Sequence, residues 1–231
     1  MKISVIVPAY NEAATIGRLL RAIYEKNPGL DLEVIVVDDG SQDGTEAAIH
    51  AAGLPKVRFF KHAVNQGKGA AIRTGLAAAT GEIVLIQDAD LEYDPADYAT
   101  VIEPIQSGRA DVVYGSRFLK KDNPVISWTY YFGGRFLSWW TNLLFGSRVT
   151  DEPTCYKAFK TDLLRSLNLT CTGFEFCPEA TGKLLRRGIP IVEVPISYRP
   201  RTLKEGKKIR WHHALEHMWI LWTIRWRRGG S

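Results

Sequence analysis

Two carboxylates stand two residues apart in Asp88-Ala89-Asp90, directly after the apolar run Ile83-Val84-Leu85-Ile86. Past the C-terminal end of a buried strand, such a pair can converge on one divalent cation. In an open α/β sheet that edge is where ligands bind. A hard cation held by few protein oxygens keeps coordination positions for phosphate oxygens, so the pair points to a nucleoside diphosphate. Asp-x-Asp alone is short and is often only a solvated loop. Its weight depends on what else reaches the same edge.

Two further segments could. Asp38-Asp39-Gly40-Ser41 reads either as a turn with Ser41 or Asp43 capping a helix, or as a carboxylate, Asp39, that accepts hydrogen bonds from a ribose or a base. Asn65-Gln66-Gly67-Lys68-Gly69 opens a helix and could cradle phosphate through its N–H groups and the Lys68 ammonium. It lacks the Gly-x4-Gly-Lys-Ser/Thr pattern, and no Gly-x-Gly-x-x-Gly fingerprint follows the first strand. His213 and His217 have zinc-like i, i+4 spacing without the Glu of His-Glu-x-x-His, so they read as a polar helix face. No Gly-x-Ser-x-Gly elbow or Cys/His nucleophile pair is present.

The elements that must position these segments are legible from periodicity. Residues 3–7, 33–37, 57–61, 83–87 and 112–115 are short β-branched runs, separated by helical patterns near 13–26, 43–52, 68–79 and 95–107. This rhythm predicts an α/β fold, a mostly parallel sheet with helices on both faces. Right-handed crossovers then gather the polar segments 8–12, 38–41, 88–90 and 116–117 on one edge. From Pro124 the pattern changes. Trp128, Phe132, Phe136, Trp139, Trp140 and Leu143 fall on one helical stripe, with Tyr131, Arg135, Ser138 and Asn142 flanking it and Gly133-Gly134 expected to weaken or kink the helix. A second amphipathic helix over 211–227 aligns Trp211, Trp219, Trp222 and Trp226.

Composition decides between meanings of those stripes. The net charge is +5, yet residues 201–231 carry eight Lys/Arg against two Asp/Glu, leaving the rest of the chain at −1. A basic end suits anionic partners, nucleic acid or membrane phosphates. All seven tryptophans lie between Trp128 and Trp226, and Trp mixed with Arg and Lys is typical of the bilayer–water boundary. The stripes could simply pack on the core. Two of them beside a basic tail favour a helical pair in the headgroup layer, and argue against nucleic acid. The apolar stretch 218–224 is far short of the roughly 20 residues of a membrane span. Cys155, Cys171 and Cys177 form no Cys-x-x-Cys pair and no secretory leader precedes residues 3–7, so the expectation is a cytoplasmic chain with reduced thiols.

Taken in order, Val5-Ile6-Val7-Pro8-Ala9-Tyr10-Asn11-Glu12, Val36-Val37-Asp38-Asp39-Gly40-Ser41-Gln42-Asp43-Gly44-Thr45, the segment 65–69 and Asp88-Ala89-Asp90 resemble a family 2 inverting glycosyltransferase of GT-A fold. Within that family the chain is similar to dolichyl or polyprenyl phosphate mannose and glucose synthases. The resemblance implies one glycosyltransferase domain over 1–231, with a nucleotide-binding half, 1–122, and an acceptor half, 123–231, bearing interface helices near 125–146 and 211–227. It implies that Pro8, Tyr10, Glu12, Val37 and Asp39 line the nucleoside pocket, and that Asp88, Ala89, Asp90 and Glu92 hold Mg²⁺ or Mn²⁺ and the diphosphate. Arg117, Arg201 and Lys207 become the cations that act in catalysis, with Arg199 competing with Arg201 for the role. Arg135 is the basic residue available to the acceptor phosphate.

The activity so implied is hexose transfer from GDP-mannose or UDP-glucose to a polyprenyl or dolichyl phosphate on the cytoplasmic leaflet. Membrane contact is peripheral or supplied by a separate anchoring protein. A phosphate monoester, with a second pKa of about 6, is already an anionic nucleophile and needs no general base. Two rivals stand beside this reading. A hydroxyl acceptor would need a base, for which Asp151 or Glu152 is placed, and a non-catalytic nucleotide- or membrane-binding module would need only the basic tail.

Overall fold

The computed structural model describes residues 1–201 and 211–227. Seven strands form one sheet in the order β3-β2-β1-β4-β6-β5-β7. They are β1 (Ile3–Ala9), β2 (Leu32–Asp38), β3 (Val57–Lys61), β4 (Ile83–Ile86), β5 (Val112–Ser116), β6 (Lys157–Lys160) and β7 (Val192–Pro195). Every pairing is parallel except those of β6, which runs antiparallel to β4 and β5. The five strands expected from periodicity are present, and β6 and β7, contributed by the second half of the chain, extend the same sheet.

β1 and β2 are buried along their whole length, as strands covered on both faces must be. One face packs on α1 (Ile16–Lys26), where Ile16, Leu19, Leu20 and Ile23 form an i, i+3, i+4, i+7 stripe, and on α4 (Tyr98–Gln106). The other face packs on α3 (Lys68–Ala78) and α7 (Phe176–Arg186). Two short helices, α2 (Thr45–Ala51) and α6 (Thr161–Ser166), complete the connections.

The chain moves outward from β1 through β2 to β3, then returns to β4 on the other side of β1. The sheet therefore has a topological switch point between β1 and β4, where crossovers diverge and leave a crevice. The loops after those two strands carry Asn11 at φ 51 and Leu91 at φ 61. Left-handed backbone at non-glycine residues is uncommon and clusters at functional sites.

Two helices cover the end of the sheet built from the second half. α5 (Trp128–Phe145) runs unbroken through Gly133-Gly134 and closes on Gly146 at φ 67. Gly134 lies close against Phe118, where a Cβ would meet the ring at 3.2 Å. Gly134, Leu137, Ser138 and Thr141 form the inner stripe of α5. Trp128 and Phe132 remain 64% and 61% exposed, and Phe136, Trp139 and Leu143 are also exposed. The stripe thus faces away from the core except at Trp140, which packs against the helix at 211–226.

α8 (Trp211–Trp226) packs on α5 and α7 through Leu221 and Ile224, with Trp140 stacked on Trp222. Trp219 stays 65% exposed, and Trp222 and Trp226 are exposed as well. His217 does not sit on a polar face. It is buried with its Nε2 against the carboxylate of the fully buried Glu152, fastening α8 to the loop after α5. In that setting burial raises the Glu152 carboxyl, but the facing His217 holds it below the ordinary range.

Candidate active site

The switch point gathers the loops 9–12, 38–41 and 88–92. Asn11 ties the first two together: its amide N–H donates to Ser41 Oγ at 2.9 Å, and its side-chain oxygen accepts from the Gln42 N–H at 2.9 Å. Gly40 stands at φ 72 where a Cβ would lie 2.6 Å from the Asn65 nitrogen. Only glycine lets segment 65–67 close over this turn.

Asp39, 3% exposed, is the anchor of that closure. Its Oδ1 accepts from the Gln66 N–H at 2.9 Å and meets His62 Nδ1 at 2.7 Å, and its Oδ2 accepts from the Gly67 N–H at 2.7 Å. A carboxylate offers about four lone-pair sites, so room for one further donor remains on Oδ2. Helix α3 then begins with its Gly69 and Ala70 N–H groups donating to the carbonyls of Gly173 and Thr172, both at 2.9 Å. Three of the amides expected to cradle phosphate, those of Gln66, Gly67 and Gly69, are therefore occupied by protein acceptors, as is that of Ala70. What this segment presents to the site is the Lys68 ammonium, 2.5 Å from Asp88 Oδ1. Burial works to lower the Lys68 pKa, but Asp88 outweighs it and holds the group well above the ordinary lysine value.

Asp90 sits in a crowd of like charge. Burial and the neighbouring Asp88 and Glu92 carboxylates push it up to about 7, against the Glu92 N–H and Arg201. An excess of negative charge on hard oxygens is the donor chemistry that a Mg²⁺- or Mn²⁺-type cation relieves, so Asp88 and Asp90 fit such an ion. Glu92 does not complete the set. Its Oε2 accepts from Tyr198 Oη at 3.0 Å and its Oε1 from the Arg201 N–H at 2.7 Å. Among the described residues no three His, Cys, Asp or Glu side chains converge as a metal cage. The third carboxylate expected from the sequence is spent on the segment 198–201.

Arg201, not Arg199, faces this cluster. Its Nε donates to the Asp90 carbonyl at 2.8 Å and its guanidinium forks onto Glu12 at 2.9 and 3.3 Å. Arg199 lines a separate crevice with Lys26, Asp94 and Ser197. Lys207 lies outside the described residues. Pro8 and Ala89 are buried, Tyr10 is half-buried at the end of β1, and Val37 is fully buried against α3, so its contact with any ligand falls to its backbone.

Arg117 closes the opposite wall. Its backbone N–H, Nε and NH2 donate to the Asp151 carboxylate at 2.9, 2.7 and 2.7 Å, and its guanidinium lies 5.1 Å from the Tyr198 ring and 5.7 Å from the Phe118 ring. Arg135, exposed on α5, approaches the same Phe118 ring at 5.4 Å. A continuous line of contacts thus runs from Asp90 through Arg201, Glu92 and Tyr198 to Arg117, Phe118 and Arg135. Tyr198 and Asp151 are central to it. The sequence offered Asp151 only as a base, and nothing in it singled out Tyr198.

A family profile described as glycosyl transferase family 2 matches residues 4–167. The undecaprenyl-phosphate mannosyltransferase of Micrococcus luteus is 32% identical over 223 residues, covering 90% of this chain and 87% of that protein. The UDP-N-acetylglucosamine–dolichyl-phosphate N-acetylglucosaminyltransferase of Methanococcus voltae is 33% identical over 229 residues, 90% of each. A solved glucosyl-3-phosphoglycerate synthase from Mycobacterium tuberculosis, in complex with Mg²⁺ and uridine diphosphate, shares 25% identity at a TM-score of 0.71 over 100% of this chain and 81% of its own. A GT-A sheet with a carboxylate pair at its switch point, and a family profile spanning most of the chain, lead to one conclusion: this protein is a glycosyltransferase and belongs to glycosyl transferase family 2.

Proposed function

We propose that this enzyme transfers a hexose, with inversion, from a nucleoside diphosphate sugar to a polyprenyl or dolichyl phosphate at the cytoplasmic face of a membrane. One observation carries the reading. The line of contacts from Asp90 to Arg135 joins a nucleotide-type carboxylate pair to a cation on a helix whose outward face is Trp128, Phe132, Phe136 and Trp139. The named relatives that act on undecaprenyl and dolichyl phosphates support the acceptor class.

In this mechanism Asp88 and Asp90 would hold Mg²⁺ or Mn²⁺, and the ion would supply Lewis-acid stabilisation of the departing diphosphate. Lys68 leaves Asp88 for the donor's phosphate oxygens, and Arg201 holds negative charge beside Asp90. Asp39 offers its remaining lone pair to the base or ribose, with Pro8, Tyr10, Glu12 and the Val37 backbone around it. Lys207 adds to the cationic flap. On the other wall Arg117 and Arg135 take the acceptor phosphate, whose oxygen attacks the anomeric carbon from the face opposite the leaving group.

Asp151 supplies no proton transfer in this scheme. Its carboxylate is fully buried and accepts three hydrogen bonds from Arg117, which argues against the hydroxyl-acceptor alternative. α5 and α8 lay their exposed aromatics in the headgroup layer, in keeping with the absence, among the described residues, of any helix long and apolar enough to cross a membrane.

A panel of GDP-mannose, UDP-glucose and other donors, with polyprenyl phosphate and Mg²⁺ or Mn²⁺, identifies the reaction by lipid-linked sugar. GDP-mannose and UDP-glucose are the leading donors. Asp90→Ala should abolish transfer while preserving the fold. Undiminished turnover by that variant, or transfer only to hydroxyl acceptors, would sink the proposal.

A further inference from the structure

Three cysteines without a sequence motif become a structured pair plus one in the fold. Cys155 Sγ and Cys177 Sγ lie 3.7 Å apart, Cys155 on the loop before β6 and Cys177 in the first turn of α7. Cys155 is half-buried and Cys177 buried. The Lys68 ammonium, whose other partner is Asp88, donates to Cys155 Sγ at 3.0 Å. Cys177 also donates weakly to the Thr154 carbonyl at 3.4 Å. Two sulfurs in contact, one half-buried and beside a cation, the other buried, is the arrangement of an attacking thiol and a resolving thiol.

We propose that Cys155 and Cys177 are a reversible oxidation site, closed to a disulfide by a hydroperoxide and reopened by a dithiol. The Cys155 thiolate attacks the peroxide, forming an S–O bond as the O–O bond breaks and hydroxide leaves. Cys177 sulfur then attacks Cys155 sulfur, forming the S–S bond and breaking S–O. The departing hydroxide takes the Cys177 proton as water. Two electrons pass from the two thiols to the peroxide, and thiol–disulfide exchange with a dithiol returns them.

The pair is asymmetric in the required sense. The hydrogen bond with Cys177, aided by the Lys68 ammonium, keeps the Cys155 thiol below its ordinary value in spite of burial. The same bond, with burial, pushes Cys177 far up. Cys171 is the internal control: it is buried, and burial together with Glu179 pushes its thiol well above the ordinary range. To close the bridge the sulfurs must approach from 3.7 Å to about 2.05 Å. That draws Cys155 away from Lys68 and toward α7.

Cys155 follows Asp151 by four residues, so the same movement pulls on the loop that holds Arg117. The consequence for the donor site rests on the transferase reading. There, oxidation lowers donor turnover on the order of tenfold or more, since a misplacement of about 1 Å can cost about 10²-fold.

Intact mass and peptide mapping of the whole protein, before and after hydrogen peroxide and again after dithiothreitol, test the chemistry without any assay of function. The expected result is loss of two hydrogen atoms, a Cys155–Cys177 cross-linked peptide, and full reversal. Cys177→Ser should stop at a dimedone-reactive sulfenic acid on Cys155, and Cys155→Ser should form neither. If Cys177→Ser does not fold, mapping of the unaltered protein carries the test alone. A peroxide-treated, folded protein with no such bridge, or one bridged through Cys171, overturns the proposal. Oxidised protein with turnover equal to the reduced form overturns its regulatory part. If neither form turns over any donor, it is the transferase reading that fails, and the disulfide result stands on the mass data.

Discussion

The Arg117–Asp151 pair decides whether the acceptor needs a base, and Asp151→Asn tests it. Asp151 is fully buried, and its carboxylate takes three hydrogen bonds from Arg117. The amide keeps one acceptor oxygen but discards the charge, so the Arg117 guanidinium loses its counter-ion and one arm of the fork. Removing one member of a buried pair costs about 3–5 kcal/mol. The Arg117 side chain retains 20% exposure, which places the cost near the lower limit, about 3 kcal/mol. At about 2–4 °C per kcal/mol for a chain of this length, the melting temperature should fall by roughly 6–12 °C.

Turnover should fall with it, through misplacement of Arg117 against Tyr198. The double variant with Arg117→Ala should lose little more turnover than Arg117→Ala alone, because the two act as a unit. Differential scanning fluorimetry and donor turnover on the same preparations give both numbers. The refuting result is an Asp151→Asn protein that melts within about a degree of wild type, binds donor normally and loses 10²–10⁴-fold in rate, the size of a lost general base. That outcome would assign Asp151 to proton transfer and restore the hydroxyl acceptor.

Metal binding should be pH-dependent in a stated direction. Asp90 is pushed up to about 7 in the metal-free protein, so below that pH a cation must displace a proton, and Mn²⁺ affinity measured calorimetrically should weaken as pH drops from 8 to 6. The sign for stability is opposite. The folded metal-free protein binds a proton that the unfolded chain, with an ordinary carboxyl near 4, does not bind, so this group favours folding increasingly as pH falls through about 7. Gly67→Ala should destabilise by at least about 1–3 kcal/mol in urea titration, since Gly67 stands at φ 98 and a Cβ would lie 2.4 Å from the Thr172 carbonyl oxygen. Serine at Phe132, Trp139 and Trp219 together should leave melting nearly unchanged, because all three are exposed. Binding to anionic vesicles should weaken about tenfold per aromatic, the equivalent of about 1.4 kcal/mol for partial burial of each ring.

Much of the donor side was legible because its physics is local. β1, β2 and β4 are continuous β-branched runs, which is what burial on both faces requires, and the loops after them are polar because they end at the ligand edge. β6 and β7 were not legible. Lys157-Ala158-Phe159-Lys160 reads as polar, yet Lys157 is fully buried with its ammonium over the Tyr114 ring at 3.3 Å and donating to the Glu152 carbonyl at 2.7 Å. Val192–Pro195 is a four-residue strand interrupted by Glu193, which is occupied with the N–H groups of Thr150 and Asp151.

The division has one physical cause. Periodicity and strand-end chemistry depend on residues a few positions apart, so the sequence alone determined the α/β alternation, the switch-point edge and the placement of Asp39, Lys68, Asp88 and Asp90 upon it. Which lone pairs and donors at that edge are already occupied depends on residues far away in the chain. Three of the lone-pair sites on Asp39 are taken by groups 23 to 28 residues distant, Arg201 reaches Glu12 across 189, and Cys155 meets Cys177 across 22. Only the tertiary structure could turn the glycine loop from a phosphate cradle into a clamp, engage Glu92 with Tyr198 and Arg201, give Asp151 to Arg117, and face most of the α5 aromatic stripe outward.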